Sequence, residues 1–166
     1  MQKVELITED SVDKIIEAAI TPELLASRRH LTEAEIEILK SNGCNSRDSK
    51  WQNIYVTEEF DPNLIQNSEF SGTIVLGKMK KGMLRYHDLT LDIGIYNSLI
   101  ESSVIGDNVV IRNVSYLSNY YIGSQSILFN IQEMSCTLHS KFGNGILKSG
   151  EPEENRIWIG VGNEND

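Results

Sequence analysis

The chain has 166 residues, 40% of them hydrophobic and 23% charged, with a formal net charge of −9. That balance provides enough apolar material for a packed core and excludes wholesale disorder. The acidity excludes a nucleic-acid or anionic-membrane surface as the main partner.

The opening MQKVELITEDSV has neither the basic nor the apolar region of a signal peptide. No apolar run reaches the ~18 residues of a membrane span, so a soluble, cytoplasmic protein is expected. Cys44 and Cys136 lack metal-ligand spacing and read as reduced, structural thiols. Ser11 precedes VDKIIEAAI, where Val12, Ile15, Ile16, Ala19 and Ile20 fall at helical spacing. Pro22 suits the first turn of a second short helix, PELLASRRH. Thr32 and Glu35 form a capping box, Ile36 and Leu39 give the apolar stripe, and Asn42-Gly43 closes the helix. Residues 11–43 are thus expected to be helical, and residues 1–50 to form a helical cap or leader.

Residues 44–53 are polar and turn-rich apart from Trp51, which is expected to tuck against the body. Ile54–Val56 reads as a strand, after which large aliphatic or aromatic residues recur every six positions: Leu64, Phe70 and Leu76, then Ile93, Leu99, Ile105, Ile111 and Leu117. One step of five leads to Ile122, and the six-step resumes at Leu128 and Met134. No helix has that period and no two-sided strand shows it, so the spacing predicts a hexapeptide β-solenoid over residues 51–166. Residues 77–92 break the repeat, which predicts an outward hairpin or loop around Lys80 to Tyr86. Asn113, Asn119 and Asn130 read as turn residues or stacked amides. Later, Lys141–Ile146 reads as one more corner and Arg156–Val161 as a strand. The end at GNEND lacks a capping helix, so the sequence is expected to continue beyond residue 166 in a longer protein.

The [ILV]-Gly-x-x-small pattern, seen at Ile105-Gly106 and Ile122-Gly123, resembles the left-handed parallel β-helix of hexapeptide-repeat proteins, acyltransferases among them. Over residues 31–146, the phrases LTEAEIEILKSNGC, FSGTIVLG, GIYNSLIESSVIGDNVVIRNV, NYYIG and KFGNG resemble a family of long β-helix proteins. That family is labelled UDP-N-acetylglucosamine pyrophosphorylase-related. The resemblance implies a mainly β left-handed β-helix of four to five coils behind the helical leader. It also implies a homo-oligomer (a trimer), a sugar-nucleotide or acyl donor, and acetyl-CoA as a cofactor. Pyrophosphorylase chemistry itself is not expected: residues 1–50 hold only one glycine, Gly43, and nothing there can cradle a pyrophosphate.

Acyl transfer needs a general base, for which His30, His87 and His139 are the candidates. His30 reads as a helix C-terminal residue. His87 leads because Asp88 is placed to orient its ring, and His139 in CTLHSKFGNG is second. Lys80, Lys81 and Arg85, with Lys78, form a basic cluster able to meet a phosphate. Tyr116, Tyr120 and Tyr121 serve either sugar stacking or packing. Two functions therefore stand side by side: a transferase-like protein acting on an activated sugar or acyl donor, and a non-catalytic scaffold.

Overall fold

A computed structural model describes residue 20, residues 22–47, residue 49 and residues 51–136. The helix expected from Ser11, the corner at Lys141–Ile146 and the strand at Arg156–Val161 lie outside the described residues. In chain order come helix α1 (Pro22–Ala26), strand β1 (Arg29–His30), helix α2 (Glu33–Ser41), and strands β2 (Asn45–Ser46), β3 (Ile54–Val56), β4 (Ile65–Gln66), β5 (Glu69–Ser71) and β6 (Ile74–Leu76). A hairpin of β7 (Met83–Tyr86) and β8 (Leu89–Asp92) follows. Then come β9 (Gly94–Tyr96), β10 (Leu99–Glu101), β11 (Val104–Ile105), β12 (Val110–Val114), β13 (Leu117–Ser118), β14 (Tyr121–Ile122), β15 (Ile127–Ile131) and β16 (Met134–Ser135).

Helix α2 begins where the capping box puts it. Thr32 Oγ1 accepts from the Glu35 backbone N–H at 3.3 Å, and Glu35 Oε2 accepts from the Thr32 N–H at 2.8 Å. It ends at Asn42, after which Gly43 takes φ +79°, a left-handed angle that glycine adopts without a Cβ penalty. Leu39 is buried against the strands and Trp51 packs on the same core. The leader is nevertheless not continuously helical. Arg29 and His30 form β1, paired antiparallel to β3 through Arg29↔Val56 and His30↔Tyr55. Long-range pairing overrides the weak helical preference of that segment.

Arg29 also grips Glu35 with both guanidinium nitrogens, at 2.9 and 2.8 Å. That pairing, with further hydrogen bonds from Thr32, lowers the Glu35 carboxyl from 4.5 to about 2. A carboxyl depressed in the folded state stabilises the fold above its unfolded value, and that contribution fades as pH falls from 4.5 towards about 2. The urea midpoint of the wild type is therefore expected to exceed that of Glu35→Gln at neutral pH, with the gap closing across that acid window. A gap independent of pH would sink the assignment.

The remaining strands build three stacks. The orders are β1-β3-β6-β11-β14, β16-β13-β10-β5-β2 and β15-β12-β9-β4, and β7-β8 stands as a separate two-stranded sheet. Below, these three are called the first, second and third sheets. From β9 onward the chain visits the third, second and first sheets in rotation, and every neighbouring pair is parallel. Inside lie rows of aliphatic side chains: Ile65, Ile95, Ile111 and Leu128 in the third sheet, and Phe70, Ile100 and Leu117 in the second. Leu76, Ile105 and Ile122 form the row of the first. Burying these rows against one another is the dominant stabilising term.

This architecture corrects the expected class. The left-handed hexapeptide β-helix expected from the repeat does not fit the described residues, although helices α1 and α2 do stand ahead of β2 and the strands after it. The described residues form a mainly β fold of parallel and mixed sheets, with antiparallel pairs at β1–β3 and β7–β8. Partner residues recur 16 or 17 positions apart, as in Asn97–Asn113, Asp107–Ser124 and Asn113–Asn130. The discrepancy is sharpest near the hairpin. Ile100 is fully buried opposite Phe70 and Leu117, whereas Leu99, the expected corner, is half-buried.

At the bends, Asn67, Asn97, Asn113 and Asn130 all hold left-handed backbone, with φ between 47° and 57°. Asparagine enters that region at small cost because its amide bonds locally. Here the amides also bond along the stack: Asn97 Nδ2 donates to Asn113 Oδ1 at 3.0 Å, and Asn113 Nδ2 to Asn130 Oδ1 at 2.9 Å. Asn119 Nδ2 donates to the Cys136 carbonyl at 2.9 Å. Buried serines work in the same way, since Ser98 N donates to Ser68 Oγ at 3.2 Å and Val114 N to Ser98 Oγ at 3.1 Å.

Candidate functional site

The hairpin fills the break in the repeat. His87 and Asp88 form its turn, with His87 at φ +53° and its ring edge-on to Tyr86 at 4.3 Å between centroids. Both turn residues are exposed, and among the described residues no hydrogen bond joins Asp88 to His87. The geometry thus places His87 at a hairpin turn. His139 lies outside the described residues. His30 sits in β1 instead of at a helix end, with Nδ1 2.7 Å from the Gln52 carbonyl and its ring tilted against Tyr55.

The basic residues take separate contacts. Lys78 pairs with Glu59. Lys80 and Lys81 are exposed at the hairpin base, where the Lys80 backbone N–H donates to Asn108 Oδ1 at 3.0 Å. Arg85 lies on β7 with Nε donating to Thr90 Oγ1 at 3.3 Å. The tyrosines take three settings: Tyr116 donates to Glu101 Oε2 at 2.8 Å, Tyr120 packs on the core, and Tyr121 is exposed.

Among the described residues, grooves lie on either side of the hairpin's base on the third sheet. The first, about 630 Å³, runs between the hairpin and β15 and is lined mainly by Leu84, Tyr86, Leu89, Ile127, Phe129 and Ile131. Alternation places Leu128 inward, so its neighbours Ile127 and Phe129 face this groove. The second, about 470 Å³, is polar and lies over the outer face of the third sheet. Register brings its residues together: Gln66 pairs with Tyr96, and Tyr96 with Arg112, while Asn67, Asn97 and Asn113 follow one position later. The Arg112 guanidinium lies 4.6 Å over the Tyr96 ring, and its Nη2 is 3.6 Å from Asp92 Oδ2. Arg112 Nε is buried without a hydrogen-bond partner among the described residues. Burial, reinforced by the negative charge of Asp92, pushes the Tyr96 phenol up, and its Oη donates to the Ile93 carbonyl at 3.1 Å.

None of Asp92, Tyr96 and Arg112 stands out in the sequence as a site residue. The signal that connects Tyr96, Arg112 and Phe129 is the pairing register, which places them in one row of the third sheet.

The fold and its two grooves define a mainly β strand-stack protein with polar and apolar surface clefts and, among the described residues, no cluster of metal-binding side chains. The chain belongs to the family described as domain of unknown function (DUF4954), which matches residues 28–153. An uncharacterized protein of Treponema pallidum (strain Nichols) is 41% identical over 138 residues, which are 82% of this chain and 18% of that relative. The chain therefore spans less than a fifth of the relative's length. No solved structure matches. No helix among the described residues is long and apolar enough to cross a membrane.

Proposed function

We propose that this segment is a non-catalytic scaffold module, which presents strand edges and surface grooves for assembly rather than turning over a substrate. The observation that supports this reading is the asymmetry of the three stacks. At one end β1 covers β3, and α2 is tied to the start of the third sheet through Asn42 Nδ2, which donates to the Pro62 and Ile65 carbonyls at 3.1 and 3.2 Å. At the other end β14, β15 and β16 are each terminal in their sheets, so among the described residues three parallel edges stand side by side. Such edges offer rows of backbone donors and acceptors to another strand.

The transferase-like reading asks for a base aligned with a donor site. His87, in its exposed turn, lines neither groove itself, although its ring rests on Tyr86 at the edge of the first. Thermal unfolding of the whole chain separates the two readings. Acetyl-CoA and UDP-N-acetylglucosamine are titrated, with N-acetylglucosamine alone as the control. A donor that binds the folded state stabilises it by about 2.7 kcal/mol at a hundredfold excess over Kd. Neither donor is expected to raise the midpoint more than N-acetylglucosamine does. A saturable rise with acetyl-CoA, or with the nucleotide sugar above that given by the free sugar, would overturn the scaffold proposal.

A further inference from the structure

We propose that the polar cleft over the third sheet, framed by Gln66, Asn67, Asp92, Tyr96 and Arg112, binds a neutral polyhydroxylated ligand of the sugar class. The cleft holds about 470 Å³, within the range of small-molecule sites. Arg112 and Asp92 bring one positive and one negative charge, so the site is formally neutral. They form a loose ion pair at 3.6 Å, longer than a hydrogen bond, so hydrogen-bonding capacity remains on both groups.

Arg112 is held in place by its guanidinium stacking on Tyr96 and by Asp92 beside it, and its Nε–H is buried without an acceptor among the described residues. Nε is closed to solvent, so the exposed part of the side chain, 29% of it, is what can meet a ligand. Around it, the exposed carboxamides of Gln66 and Asn67 each offer a carbonyl oxygen and an NH₂ group. Planar side chains that present paired donors or acceptors match adjacent hydroxyls, each of which both donates and accepts. A free oxyanion suits the cleft less well. It would have to sit beside the Asp92 carboxylate, in a chain whose net charge is already −9.

The side chains themselves supply the test. In ¹⁵N-labelled full chain, the side-chain NH₂ signals of Gln66 and Asn67 and the Nε–H signal of Arg112 are followed by NMR. D-glucose, N-acetyl-D-glucosamine and their β-linked tetramers are added in separate titrations, with inorganic phosphate and acetate as the oxyanion arms. At least one sugar is expected to move these signals saturably. Arg112→Gln is expected to weaken that sugar about tenfold or more, the scale of losing a hydrogen bond to a charged group. Gln66→Ala, at an exposed position that leaves the core untouched, is expected to weaken it by about three- to tenfold and decides the matter if the first variant does not fold. The proposal is overturned if no sugar saturates, if phosphate or acetate binds more tightly than every sugar, or if binding is unchanged in the folded variants.

Discussion

Phe70→Ala is expected to lower the unfolding free energy by about 3–5 kcal/mol, the range for removing a large aromatic side chain from a packed core. Phe70 is 1% exposed in β5. It is paired with Ser46 on one side and Ile100 on the other, and Ile100 is paired in turn with Leu117. The inner space is shared by rows from three sheets, and their strands are too short to slide and refill a void. Most of the lost volume should persist as a cavity. A typical domain is stable by only about 5–15 kcal/mol, so this one change removes a large share of the total. Met83→Ala is the matched control. Met83 is 65% exposed on the hairpin, and its loss should stay within about 0.5 kcal/mol. Urea unfolding of both variants checks the contrast, and a Phe70→Ala cost below about 1 kcal/mol would show that Phe70 is not packed in the inner row.

Local chemistry is legible in the sequence; register is not. The Thr32–Glu35 capping box and the strand Ile54–Val56 are readable because the residues that define them are neighbours. The turn asparagines are readable too, since left-handed backbone is a property of the residue itself. Arg29–His30 reads as helix in the sequence because its strand exists only through pairing with β3. The six-residue ladder has the right rows from Ile105 onward, where Ile111, Leu117, Ile122 and Leu128 are all buried. It slips at Leu99, which is half-buried, and Ile93 is buried but lies outside the paired rows, because the hairpin resets the count. Beyond the hairpin, pairing with Ile65 and Phe70 selects Ile95 and Ile100 for the interior rows. The single step of five between Leu117 and Ile122 is the readable trace of the 17-residue recurrence seen at Asp107–Ser124 and Asn113–Asn130.

The same distinction explains the sites. Sequence reading favours titratable residues that are conspicuous as singles, such as His87 and Lys80, Lys81 and Arg85. The structure spreads these over an exposed turn, a hairpin base and a strand. The polar cleft is assembled from residues that are individually ordinary. Gln66, Tyr96 and Arg112 belong to three different strands and meet only once β4, β9 and β12 are aligned.

Gly94→Ala is expected to destabilise the chain by about 2–5 kcal/mol, combining the strain of a rarely allowed backbone angle with a steric clash. Gly94 opens β9 at φ +140°, where a side chain is disfavoured whatever space surrounds it. The space is also taken. An added Cβ would press into the Leu64 carbonyl oxygen and come within 2.8 Å of Tyr96 Oη. The Leu64 carbonyl is backbone and cannot swing aside, and the Gly94 N–H is committed to the Val109 carbonyl at 3.0 Å. Relief would therefore have to come from shifting β9 against β4 or turning Tyr96 out of place. Tyr96 carries Arg112 on its ring, so the same substitution should disturb the polar cleft as well as the core. Gly82→Ala separates these effects from a generic loss of glycine. Its Cβ would meet nothing closer than 3.7 Å, and it should be neutral or stabilise by about 0.4–1 kcal/mol through the unfolded state. Equal urea midpoints for the two alanine variants would refute the account of Gly94. A lowered midpoint for Gly94→Ala alone, with the Arg112 Nε–H signal displaced, would tie the strained glycine at the start of β9 to the placement of the guanidinium over the cleft.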